Sequence, residues 1–137
     1  MDSRLRGWGV TMLFTSGDWY VDTEKEITYP LVTWMAEQFV SLKDANIEIN
    51  QVDLGDEFAY GFCQVDEDNE FLIHIHNRLN IEEYVTTLIH ELIHVKQTLE
   101  GMLGHDERED EAYSKELPLS NQFWDSRQTV HWSPYSS

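Results

Sequence analysis

Apolar residues change their period several times along this chain, and each change marks an element. Residues 8–14 read as a short strand, ended by the turn residues Ser16-Gly17-Asp18. An acidic stretch, residues 22–26, leads to Thr28 as a helix cap, with Pro30 in the first turn, where its missing N–H costs nothing. Leu31, Trp34, Met35, Phe39 and Leu42 then recur at helical spacing. Three strands come next: residues 46–54, residues 58–65 and residues 70–76. In the last, Phe71, Ile73 and Ile75 alternate with Leu72, His74 and His76. Gly55-Asp56 and the tetrad 66–69 supply turns between them, so the order predicts a β-meander of at least three strands.

The next element carries the strongest signals. Asn80-Ile81-Glu82-Glu83 has the form of a capping box. From Tyr84 to Leu99 the chain is apolar round most of a helical circumference, and Gly101 and Gly104 supply the stop. A short acidic helix, residues 106–117, is expected to end at Pro118. Residues 119–137 hold Trp124 and Trp132 without periodicity and read as an irregular tail. The class is α+β: a single domain over residues 1–137 with its core at about residues 28–117.

Composition narrows the class further. At 137 residues the chain fits one domain, and its single cysteine, Cys63, excludes a disulfide framework or a Cys-rich zinc module. No apolar run is long enough to cross a bilayer, and the first residues lack a signal-peptide pattern. The expected location is a cytoplasm, that of a host cell included, or a virion. Nine Lys and Arg face 26 Asp and Glu, a formal net charge of -17. Such a surface repels nucleic-acid phosphates and anionic membranes. It suits cationic substrates or a saline milieu, and equally simple solubility.

Chemistry enters at His90-Glu91-Leu92-Ile93-His94. Histidines four apart lie one turn above each other on a helix face, so both imidazoles can reach one metal ion. Glu91 sits beside the first, placed to take a proton from a metal-activated water. Two His and a Glu within a mostly buried helix need partners, because unpaired buried polar groups are costly. Zinc needs a third protein ligand and an open position. A histidine six residues after His94 is missing: Glu100 stands there. The acidic helix offers Glu107, Glu109, Asp110 and Glu111. With Ala112 and Tyr113 taken as its inward face, Glu109 shares that face and is the first choice, before Glu111 and Asp110.

The strings H-E-L-I-H-V-K-Q (residues 90–97) and E-D-E-A-Y (residues 109–113) resemble the gluzincin-type zinc metallopeptidases, especially the small minigluzincins and similar phage-encoded peptidases. The resemblance spans roughly residues 28–117. It implies a zincin-like minimal domain: a helix, a three-stranded sheet, the active-site helix and a glutamate-bearing helix. It implies His90, His94 and Glu109 as zinc ligands and Glu91 as general base, with a protein or peptide substrate lying extended along residues 70–76. Where wider relatives carry an Asp that orients a ligand His, this chain has Tyr113, so that support is expected from Glu116 or Asp110. Tyr113 itself is expected to pack inward, with oxyanion stabilisation as the other option. His74 and His76 are expected on an exposed strand face, His105 at a helix end, His131 at most as a cleft contact beside Trp132, and Cys63 as a small buried hydrophobe. The alternatives to a peptidase are a catalytically silent or tail-inhibited zinc module, and an acidic DNA mimic.

Overall fold

The computed structural model describes residues 12–19, 22–55, 60–67 and 69–131. One four-stranded sheet is covered on one face by helices. The strands are β1 (Met12–Gly17), β2 (Asn46–Val52), β3 (Gly61–Glu67) and β4 (Glu70–His76); the helices are α1 (Asp22–Gln38), α2 (Ile81–Leu99) and α3 (His105–His131). Ile47, Ile49, Phe71, Ile73 and Ile75 from the inner sheet face meet Leu31, Met35, Leu88, Ile89 and Leu92 from the helices in one buried core.

The sheet is not a meander. Its order is β1-β2-β4-β3, with β1–β2 and β2–β4 parallel and β3–β4 antiparallel. Alternation tells which face of a strand is buried, not which strand lies beside it. The expected run at residues 8–14 falls partly outside the described residues; the described strand begins at Met12. β3 is displaced toward the C-terminus of its expected range, and Phe58 lies outside the described residues. The topology also overturns the expected substrate edge: β4 is paired on both sides, and the strands at the ends of the described sheet are β1 and β3.

Two helices are longer than their prolines imply. α1 starts at Asp22, so Thr28 is not its cap and Pro30 is interior. Glu24, Ile27, Leu31 and Met35 share its buried stripe, and this burial extends the helix upstream of the proline. α3 likewise runs through Pro118 to His131, so residues 119–131 are helix and not an irregular tail. An interior proline costs about 3 kcal/mol. Beyond it, Leu119 is 8% and Phe123 1% exposed, and burying two such side chains returns roughly 1.5–3 kcal/mol each. Phe123 packs edge-on to Trp34 at 5.6 Å, and Ser120 accepts a hydrogen bond from Thr86. Leu119, Ser120 and Phe123 thus form the buried side of that segment, with Phe123 against α1 and Ser120 against α2.

α2 matches its expected form. Asn80 Oδ1 accepts from Glu83 N at 2.8 Å, and Glu83 returns the bond to Asn80 N. At the other end Gly101 N reaches Thr98 O and Met102 N reaches Gln97 O, a closing turn that needs the positive φ of 75° at Gly101. That turn reverses the chain, and α3 runs back along α2.

Candidate metal centre

His90 and His94 stand one turn apart on α2, their rings 4.8 Å apart and steeply inclined. Their Nε2 atoms approach to 3.2 Å. Glu109, returned by α3, lies 3.5 Å from His90 Nε2 and 3.2 Å from His94 Nε2 through its two oxygens. These three side chains form the group among the described residues able to hold a metal ion. Asp110 is exposed and does not join them. Glu111 turns instead to Lys96, Lys115 and Gln97. Burial opposes its charge, but those three donors outweigh burial and hold its carboxyl down at about 2.

The backs of both imidazoles are occupied. His90 Nδ1 lies 2.7 Å from Glu116 Oε1, so Glu116 supplies the support expected of it or of Asp110. His94 Nδ1 lies 2.8 Å from Gln97 Oε1. That oxygen also accepts from Arg108 Nε, while Gln97 Nε2 donates to Arg108 O and to Glu111. The amide orientation is therefore set by its neighbours, and both histidines must donate from Nδ1. Two Nε2 lone pairs and a carboxylate then converge on one point with no donor among them. A proton on one imidazole or a metal ion relieves that repulsion, and two imidazoles with a carboxylate are a donor set of the kind that can hold zinc.

Glu91 is next to this centre, 5% exposed, and no described residue hydrogen-bonds to its carboxyl. Burial, with Glu109 and Glu116 adding their charges, pushes its carboxyl up to about 8. Cys63 is half-buried beside the cleft, its thiol pushed up to about 12, chiefly by burial and then by Glu91. It stays protonated, in keeping with an inert small hydrophobe.

Tyr113 is the main correction at the site. Ala112 is buried as expected, but Tyr113 is 66% exposed, its ring 4.7 Å from that of His90. It borders both cavities beside the centre. The remaining histidines are accounted for. His74 bridges Asn50 and Gln64 beneath the Phe62 ring, and His76 accepts from Leu54 N. His105 opens α3. Of His131 only the backbone is described, and Trp132 lies outside the described residues. Gln97 and Arg108 are the members that sequence reasoning missed. Gln97 stands three residues after His94, a spacing that places the two together on a helix.

Comparisons with protein-family models, curated proteins and solved structures find no match to this chain. Its function has to be read from the geometry of these side chains.

Proposed function

We propose that this chain is a zinc-dependent peptidase. The observation that carries the reading is the convergence of His90 Nε2, His94 Nε2 and the Glu109 carboxylate, with both Nδ1 atoms engaged elsewhere. His90, His94 and Glu109 would hold the ion, which when bound supplies a Lewis acid and lowers the pKa of water towards neutrality.

The chain's own residues do the rest. Glu91 opens onto the cleft and serves as general base, then returns the proton to the leaving amine. Tyr113, exposed over His90, donates its hydroxyl hydrogen bond to the carbonyl oxygen as that oxygen gains charge. β3, which ends the sheet on the cleft side and pairs there with no other described strand, offers its outer backbone groups to an extended polypeptide as a further strand. Glu116 and Gln97 hold the imidazoles in the tautomer that presents Nε2.

Protein loaded with one equivalent of zinc is expected to cleave members of a peptide library. Chelation should stop the cleavage and zinc should restore it; absence of zinc-restored turnover would overturn the proposal. Glu116→Ala is expected to weaken zinc binding roughly tenfold to a hundredfold. Competition against a colorimetric chelator reads that loss, and unaltered affinity would strip Glu116 of its positioning role.

A further inference from the structure

The cleft has two lobes that meet at the metal centre, and their chemistries differ. One, of about 460 Å³, runs along the start of α2. Its walls include Tyr60, Tyr113, Glu82, Glu83, Glu91 and Glu116, and among the described residues no lysine or arginine lines it. The other, of about 790 Å³, lies towards the start of α3 and carries the apolar side chains of Phe62, Cys63, Val65 and Leu103. Arg108 reaches this second lobe, but its guanidinium is bonded to His94 O, Thr98 and Gln97.

The smaller lobe is built unlike an ordinary acidic surface. Two tyrosines, 53% and 66% exposed, flank it. Solvent-facing aromatic rings have an apolar reason to be covered and a negative face to offer. At its inner end lies Glu91, a buried carboxyl to which no described residue hydrogen-bonds. Gly61 forms part of the wall, and a Cβ there would come 2.7 Å from His74 O, so the backbone of β3 needs a glycine to approach β4 this closely.

From these features we infer that the smaller lobe binds a lysine or arginine side chain of the substrate, with an apolar side chain across the cut bond in the larger lobe. Carboxylates attract the cationic head, and the tyrosine rings cover its methylene stem. The position of that side chain beside the cut bond rests on the peptidase reading; the cation preference of the lobe does not.

Two arms test it. In the first, zinc-loaded protein is given the peptides acetyl-Ala-Ala-Lys-Ala-Ala-amide and its norleucine counterpart, and a library is profiled for cut sites. Lys or Arg should be enriched at one fixed position flanking the cut. The Lys/norleucine ratio of kcat/KM should fall about tenfold in Glu82→Lys, and less in Glu82→Gln. Glu37→Lys, the same charge change on an exposed α1 position, should leave the ratio alone. No basic enrichment, or an equal response to Glu37→Lys, overturns the inference. The second arm measures binding of the same two peptides to the unaltered, zinc-free protein by amide chemical shifts. Tighter binding of the lysine peptide, with shifts at Gly61, Thr86 and Thr87, supports the inference even if nothing is cleaved. Equal binding of both peptides overturns it, whatever the fate of the peptidase reading.

Discussion

Glu91→Gln is expected to keep one zinc per chain and lose peptide cleavage by about a thousandfold or more, within the range general bases contribute. Glutamine fills the same volume but cannot accept a proton. The substitution should be gentle on the fold, because no described residue hydrogen-bonds to the Glu91 carboxyl and its charge is opposed by burial, Glu109 and Glu116. The melting temperature should therefore hold or rise. That separates a catalytic loss from an unfolded sample, a separation Glu91→Ala would blur by opening a cavity. Undiminished cleavage by a zinc-loaded Glu91→Gln protein would remove this residue from the chemistry.

The second large effect is expected at Glu109. Glu109→Ala should lower zinc affinity by well over the roughly hundredfold assigned to a positioning residue, because it deletes a donor and leaves only the two imidazoles. A ligand that binds only the folded state stabilises it by about 4 kcal/mol at a thousandfold excess over Kd. Zinc should thus raise the melting temperature of the unaltered protein clearly and that of Glu109→Ala scarcely. Asp110→Ala, at the exposed neighbour, should behave like the unaltered chain. Stoichiometric zinc retained by Glu109→Ala through dialysis, read by mass spectrometry, would refute the ligand set.

The start of α2 is legible in the sequence alone, because a capping box is a local device whose partners lie three residues apart. The placement of Glu109 beside the two histidines is legible too, though half the premise behind it fails: Ala112 turns inward and Tyr113 does not. Spacing on a helix constrains a stripe, and Glu109, Ala112, Glu116, Leu119 and Phe123 continue one stripe straight through Pro118. That proline reads as a stop because its local cost is visible in the string, whereas the burial of Leu119 and Phe123 that outweighs it belongs to the assembled molecule. Sheet order is hidden for the same reason. Nothing in the alternation of β2 or β4 names the neighbour, so the place of β3 at one end of the described row emerges only in the folded sheet.

The tight reversal at Gly101 has one further consequence. All three proposed ligands fall between residues 90 and 109, on two helices joined by that turn, so bringing them together closes only a short stretch of chain and costs little entropy. The opposite bank of the cleft is supplied by β3, from well upstream. On the proposed reading, grip on the ion is a local property of a helical hairpin, while the seat for a polypeptide depends on the whole tertiary assembly. Under gradual denaturation the capacity to bind a polypeptide should disappear before the capacity to hold zinc.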